Sequence, residues 1–427
     1  MSLQSTFCSS PWFHMRIAAD GELGSCRWHP KTINTVDNIR NITPIDFFQK
    51  SMAPLRKNLL DGQAIHECNH CSHMEQHQKV SGRQRQLLKI GVSTDNFSKT
   101  LASSPWVAEF SKSQSDGIIE LTPQDWQIEL GNYCNSACVF CSPASSSKLA
   151  TEFYKLKLID ALVPPSWCND PKLVARVIES ITQCKNLKML HFIGGEPLFI
   201  PAFKTILQAM VLANLHKSIT ISFTTNITIY EDDIVELLCN FDVVQIGMSI
   251  ECFHPVNDYA RWPSSIDQVT VCLNKWVSIA KLKNWIITIR PTPTILTIHH
   301  LLSVYEFAWN NSLSLESANF LSWPLYMKPS VLPMSYRIKV IEKMKQWLVD
   351  HVVVTAQVAV NTRSSEFFKI QLFQELSSYI DYLETEPDES HLLPKLVDYL
   401  KLIESNRNNS ILDYLPEYEE LFRTAGY

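Results

Sequence analysis

The chain has 427 residues, 45 % of them hydrophobic and 19 % charged, with a formal net charge of −5. That length predicts two or three domains with ample core, and the lack of a basic excess argues against a polyanion binder, so no nucleic-acid partner is expected. No run approaches the ~18–20 apolar residues of a membrane span, and the first thirty residues carry Asp20 and Glu22 but no signal-like apolar core, so a cytoplasmic chain with reduced thiols and no membrane partner is expected.

Residues 1–80 are rich in Cys and His. They hold a strand-like piece at Arg16-Ile17-Ala18-Ala19, the turn Asp20-Gly21, and a helical stretch from Phe47 to Leu60 that stops near Asp61-Gly62. Residues 81–125 are polar and Ser-rich, and read as a connecting segment with at most one short helix. From 126 onward, apolar strand-like runs alternate with amphipathic stretches. The runs are Trp126–Leu130, Met189–Ile193, Ile219–Thr224, Val243–Ile250, Trp285–Arg290 and Ala318–Leu325. The stretches between them include Pro171–Gln183, Pro201–Leu215, Glu231–Leu238, Ile266–Ala280 and His299–Trp309. This alternation predicts an α/β fold, a partial, open (β/α)6 barrel over 126–330, with its chemistry on the loops after the strand C-terminal ends. Residues 331–427 read as a helical C-terminal region, with helices expected over Tyr336–Val352, Phe367–Leu383, Pro394–Glu404 and Leu415–Thr424.

Directly after the first barrel strand comes Gly131-Asn132-Tyr133-Cys134-Asn135-Ser136-Ala137-Cys138-Val139-Phe140-Cys141. A [4Fe–4S] cube needs four ligands for full coordination. Three thiols in C-x3-C-x2-C spacing suit three corners and leave one iron open, as catalytic metal sites keep a position free. The second strand is followed by Gly194-Gly195-Glu196-Pro197, the third by Thr224-Thr225-Asn226, and the fourth by Ser249-Ile250-Glu251 and then Tyr259-Ala260-Arg261.

In order and spacing these motifs resemble the radical S-adenosylmethionine (radical SAM) superfamily. The resemblance implies that SAM chelates the open iron through its amino and carboxylate groups. An electron from the reduced cluster then breaks the sulfonium–C5′ bond, and the resulting 5′-deoxyadenosyl radical takes a hydrogen from the substrate. Gly194 and Gly195 remove Cβ atoms where backbone approaches the ligand. Glu196, followed by Pro197, accepts a charge-assisted bond from the methionyl ammonium. Ser249 and Arg261 suit the carboxylate or ribose, Asn226 offers an amide at the same rim, and the backbone near Phe140 reaches the adenine. Glu251 stands where many relatives carry Asp and is given a cofactor-side role. Zinc or plain buried thiols are the alternatives for the triplet.

Cys8, Cys26, Cys68 and Cys71 form a second set, read from Cys8-Ser9-Ser10-Pro11-Trp12, Gly21 five positions before Cys26, and Cys68-Asn69-His70-Cys71. They resemble the auxiliary-cluster module of radical SAM maturases in its shortened twitch form. The longer SPASM form would continue with cysteines where this chain has Ser72, His73, His77 and Ser81. The module precedes the barrel here, whereas in most relatives it follows. Four thiolates leave no open iron, so the resemblance implies an electron-transfer or structural [4Fe–4S] cluster, with a four-thiolate zinc site as the alternative. His66, His70, His73 and His77 read as loop residues. Cys168, Cys184, Cys239, Cys252 and Cys272 lack paired spacing; Cys184, Cys239 and Cys272 read as small buried hydrophobes, and Cys252, one residue past Glu251, reads as packing with a hydrogen-donating thiol as the alternative.

The expectation is an oxidoreductase-type enzyme with two [4Fe–4S] clusters and SAM, acting on a peptide or protein and drawing electrons from a donor such as flavodoxin or ferredoxin. Dehydrogenation of a small-molecule alcohol is the second option. A non-catalytic iron–sulfur or zinc metalloprotein is the rival from another class.

Overall fold

The computed structural model describes residues 6–27, 29, 37–76, 80–93, 96–163, 166–316, 321, 323–352 and 365–427. Among them, one eight-stranded sheet runs in the order β2-β1-β3-β4-β5-β6-β7-β8. Its strands are β1 His14–Ile17, β2 Leu23–Gly24, β3 Asp125–Glu129, β4 Met189–Ile193, β5 Thr220–Thr225, β6 Val243–Met248, β7 Ile286–Ile289 and β8 Ser314–Leu315. Only the β1–β2 hairpin is antiparallel; every other neighbour pair is parallel. Parallel neighbours need helical crossovers, and those crossovers bring the loops after β3 to β7 to a single edge.

Side chains alternate across a strand, and here the two faces differ in kind. Ile17, Ile128, Phe192, Phe223, Ile246 and Ile287 lie in register across six strands and are buried. Helices cover this face: Phe203 of helix Pro201–Leu212 meets Phe192 and Phe223 at 5.1 and 5.4 Å, and Trp276 of helix Ile266–Lys283 meets Phe223 at 6.0 Å. Burial of each such side chain contributes about 1.5–3 kcal/mol. One position away lies a polar row, Arg16, Gln127, His191, Ser222 and Gln245. It is tied by Arg16–Glu129 at 2.7 Å and His191–Ser222 at 2.9 Å, with Arg290 reaching Thr224 at 2.9 Å and Glu316 at 3.1 Å. This polar row is itself taken out of water: Ser222 is buried, and Arg16, Gln127, His191 and Gln245 are half-buried.

Three features depart from the sequence expectation. The last strand is Ser314–Leu315, before the expected Ala318–Leu325. Residues 317–320 and 322 lie outside the described set, and Leu325 opens a 3-10 turn, Leu325–Met327. Pro324 carries no N–H for a sheet ladder. The segment 81–125 holds three short helices, Gly82–Lys89, Phe97–Ala102 and Val107–Lys112. The first is started by a capping box between Ser81 and Gln84, and Phe97 and Phe110 pack edge-on to Phe7 at 6.0 and 5.1 Å. Finally, β1 pairs with β3, so the N-terminal segment extends the sheet that carries the Cys134 loop.

The C-terminal helices are Met334–Asp350, Ser365–Thr385, Leu393–Arg407 and Glu419–Thr424. The second packs against β8 and helix Leu302–Asn311, and the third reaches the Cys134 loop.

Candidate functional site at the strand C-terminal edge

The Cys134–Cys141 segment has no regular ladder, so its backbone groups must find partners elsewhere. Ala137 N–H donates to Trp262 O at 2.7 Å and Val139 N–H to Ala260 O at 2.9 Å. Cys141 N–H donates to Cys138 O at 3.0 Å, and Ser136 N–H to Cys134 Sγ at 3.4 Å. The loop is thereby stitched to the segment after β6. Cys134 and Cys141 each feel the charge of another thiol of the triplet. Burial comes first in pushing Cys134 and Cys141 up to about 12, with the neighbouring cysteines adding to it. Cys138 is also raised by burial, with the Arg261 guanidinium opposing.

Among the described residues, no three His, Cys, Asp or Glu side chains converge on a point that one metal ion could occupy. A tetrahedral zinc ion gathers its thiolates at about 2.3 Å around one centre. A cube meets each thiolate at a different iron, which three neighbouring thiols on a compact loop fit by donor type and number.

The Gly-Gly-Glu-Pro loop abuts the same segment. Gly194 and Gly195 have φ of 89° and 54°, and a Cβ on either would lie 2.8 Å from Gly131 O or 2.2 Å from Tyr133 O. What the two glycines make room for is thus the backbone leading into Cys134. Glu196 N–H donates to Tyr133 O at 2.9 Å. The buried carboxylate of Glu196 accepts from Asn226 N–H at 2.6 Å and from Leu198 N–H at 3.2 Å, the latter opening the turn Pro197–Phe199. Burial pushes Glu196 up to about 7, and the two backbone donors pull the other way. Asn226 is a hub: its Nδ2 donates to Asn135 Oδ1 at 2.7 Å and Ser136 Oγ at 3.2 Å, and lies 3.9 Å from Cys134 Sγ.

Across the loop, Arg261 donates from Nε and NH2 to Glu251 Oε1 at 3.0 and 2.5 Å, while Thr292 N–H donates to Oε2 at 2.5 Å. Burial raises Glu251, and the guanidinium opposes it. Arg261 NH1 lies 3.9 Å from Cys138 Sγ, and its guanidinium sits 5.5 Å from the Phe140 ring. Ser249 is half-buried at the end of β6, its N–H on Thr225 O at 3.0 Å. The structure thus gathers Phe140, Gly194, Gly195, Glu196, Asn226 and Arg261 around the triplet.

At the N-terminus, Cys8, Cys68 and Cys71 stand near one another. Burial leads in raising Cys8 and in pushing Cys68 up to about 12, and Cys71 adds to both. Cys26 is half-buried after β2, its carbonyl accepting from His29 N–H at 3.2 Å. His66 and His70 are exposed, while His77 and the side chain of His73 lie outside the described residues.

Sequence reasoning missed three basic or phenolic residues at these sites. Arg83 bonds Glu75 Oε1 at 3.0 Å and Phe7 O at 3.3 Å, and its charge opposes the rise of Cys8 and Cys68. Tyr399 Oη donates to Val139 O at 2.9 Å, and Arg407 NH2 to Ala137 O at 2.7 Å. No local pattern marks Tyr399 and Arg407, whose partners here are 260 and 270 positions away.

The Radical SAM superfamily description matches residues 128–290, the segment that carries all these barrel motifs. The chain therefore contains a radical SAM domain and is an enzyme. Its structure is similar to that of SuiB from Streptococcus suis bound to S-adenosylmethionine, at 14 % identity over 79 % of this chain and 69 % of that one, with a TM-score of 0.37. SuiB bound to its precursor peptide SuiA matches at 14 % identity, 81 % and 70 % coverage, and a TM-score of 0.36. Native anSMEcpe with bound AdoMet matches at 15 % identity, 53 % and 61 % coverage, and a TM-score of 0.40. These are distant likenesses. No curated protein matches the chain significantly. No helix among the described residues is long and apolar enough to cross a membrane.

Proposed function

We propose that Cys134, Cys138 and Cys141 hold a [4Fe–4S] cluster in a partial (β/α)6 barrel, that the enzyme cleaves S-adenosylmethionine there, and that its substrate is a peptide or protein. The observation that carries this reading is a three-thiol loop, Cys138 buried and Cys134 and Cys141 half-buried, held from both sides, by Glu196 and Asn226 on one and by Arg261 on the other. When bound, the cluster supplies the electron that splits the sulfonium bond of SAM, and the nucleoside radical so released takes hydrogen from the substrate.

The chain's own residues prepare this step. Glu196, buried and already accepting two backbone bonds, offers remaining lone pairs to an ammonium. Asn226 fixes the entrance of the loop by binding Asn135 and Ser136 at once. Arg261 is locked by Glu251, itself held by Thr292 N–H, leaving NH1 directed at the thiol side, so Glu251 acts on the cofactor through Arg261. Phe140, Pro197 and Ser249 complete the cofactor wall in this reading. For the N-terminal set we propose an auxiliary [4Fe–4S] cluster on Cys8, Cys26, Cys68 and Cys71 that relays an electron, with Arg83 as its cationic neighbour. The peptide assignment follows the resemblance of this cysteine set to the twitch module.

Anaerobic reconstitution with iron and sulfide tests the reading. About eight irons per chain support two cubes, and about four support one. The reduced protein should show an electron paramagnetic resonance signal that changes when SAM is added. A fully loaded protein whose spectrum ignores SAM would defeat the proposal.

A further inference from the structure

The residues on either side of Cys138 are each gripped twice. Their N–H groups go to the barrel side: Ala137 to Trp262 O and Val139 to Ala260 O. Their carbonyls go to the C-terminal helix Leu393–Arg407: Ala137 O accepts from Arg407 NH2 at 2.7 Å and Val139 O from Tyr399 Oη at 2.9 Å. Nothing in a Cys-bearing loop requires the second grip. It is supplied by residues 260 and 270 positions away in the chain.

Arg407 is built into this place. Its Nε and NH2 bond the two oxygens of Glu152 at 2.8 and 2.5 Å, and Asn406 Nδ2 adds a third bond to Glu152 at 2.9 Å. The Arg407 and Glu152 side chains are 0 % and 4 % exposed. The guanidinium also lies 4.9 Å from the Trp262 ring, the same residue whose carbonyl holds Ala137 N–H. Yet Arg407 NH1 is buried with no partner among the described residues. An unpaired buried donor on a charged group is costly, and a merely structural pair is more cheaply met by apolar packing. Glu152 belongs to helix Ser147–Lys155, which begins a few residues beyond Cys141. The C-terminal helix therefore fixes both the middle of the cysteine loop and its exit.

We infer that Arg407 and Tyr399 are positioning residues for the cluster, and that the C-terminal helix is a working part of the radical SAM site, setting the Cys138 corner and adding a second buried cation beside Arg261. This rests on the reading that the triplet binds iron. The two buried guanidiniums would stabilise the more negative, reduced state of a cluster whose thiolates they face. Second-sphere partners of metal ligands are worth roughly 10–100-fold in metal retention or activity.

The test uses the full chain, reconstituted as wild type, Arg407→Met, Arg407→Lys and Tyr399→Phe. Only the part of the paramagnetic spectrum that responds to SAM is read, so the N-terminal site does not contribute. Arg407→Met should lose iron from this site roughly tenfold faster, with a shifted spectrum and a more negative midpoint potential. Arg407→Lys, which keeps the charge but not the fork, should restore the potential more than the retention. Tyr399→Phe removes one hydroxyl and no charge, so it should alter the spectrum and retention while leaving the potential near wild type. It decides the positioning claim even where Arg407→Met fails to fold. Wild-type spectrum, retention and potential in Tyr399→Phe and Arg407→Lys would overturn the inference. A wild type that takes up no SAM-responsive iron would instead overturn the reading on which it rests.

Discussion

Glu251 and Arg261 are partners of each other. Both the Nε and NH2 of Arg261 converge on one oxygen of Glu251, whose other oxygen holds Thr292 N–H. The side chains are 0 % and 9 % exposed, so the pair is taken out of water almost completely. Its consequence is directional: the carboxylate is used up in aiming the third guanidinium nitrogen at Cys138.

Shortening this acid is therefore expected to harm. Glu251→Asp cannot span Arg261 and Thr292 N–H together, and should cost about 1–3 kcal/mol for the donor left unmade. Glu251→Gln leaves the buried Arg261 guanidinium without its countercharge and should cost about 3–5 kcal/mol, the usual result of removing one partner from a buried pair. Urea unfolding measures both, and the order Gln worse than Asp is the expected outcome.

Gly195 should tolerate no side chain. A left-handed conformation costs an L-residue about 1–2 kcal/mol, and the new Cβ would meet Tyr133 O at 2.2 Å. The neighbour that must yield is the backbone entering Cys134. Gly195→Ala should therefore lose iron from the SAM site as well as stability, whereas Gly82→Ala, in open space, should change neither. Iron analysis after gel filtration compares the two.

Glu196 is expected to carry the pH dependence of cofactor binding. Burial sets it near 7, against an ordinary value of 4.5. An ammonium ligand prefers the carboxylate, so SAM affinity should rise about tenfold per pH unit up to about 7 and then level off. Glu196→Gln should bind weakly with a flat profile. Equilibrium dialysis with labelled SAM across this range checks the slope.

The polar face of the sheet makes a separate prediction about acid. His14 is lowered to about 4 and His191 to about 3, burial being the first cause of each. Both stay neutral in the folded chain while their unfolded counterparts protonate near 6.5. The unfolded state then binds more protons, so stability falls as pH drops below about 6.5, by about 1.4 kcal/mol per unit for each histidine. The loss ends near 4 for His14 and near 3 for His191. Denaturant midpoints of His191→Gln should show a shallower acid slope than wild type.

Strands such as β4 were legible to the residue, because Met189–Ile193 is a short apolar run closed by Gly194. The last strand was not, since Trp323-Pro324-Leu325 has strand-like hydrophobicity but its proline has no N–H to give a ladder. That the cysteine triplet and the Gly-Gly-Glu-Pro loop lie side by side could be expected from the resemblance their order and spacing carry. Why the glycines are needed could not, because Gly131 and Tyr133 come beside them only through the β3–β4 pairing. Arg407 was invisible for the same reason on a longer scale: Glu152 lies 255 positions before it. Sequence patterns report local period and motif, whereas this clamp exists only once the chain has folded back on itself.

The most direct measurement is product analysis of the reconstituted, chemically reduced protein incubated with SAM without oxygen. The account predicts 5′-deoxyadenosine from the wild type and none from Cys138→Ala. A wild-type protein carrying its full iron that releases no 5′-deoxyadenosine, or a Cys138→Ala variant that releases as much as wild type, would contradict it.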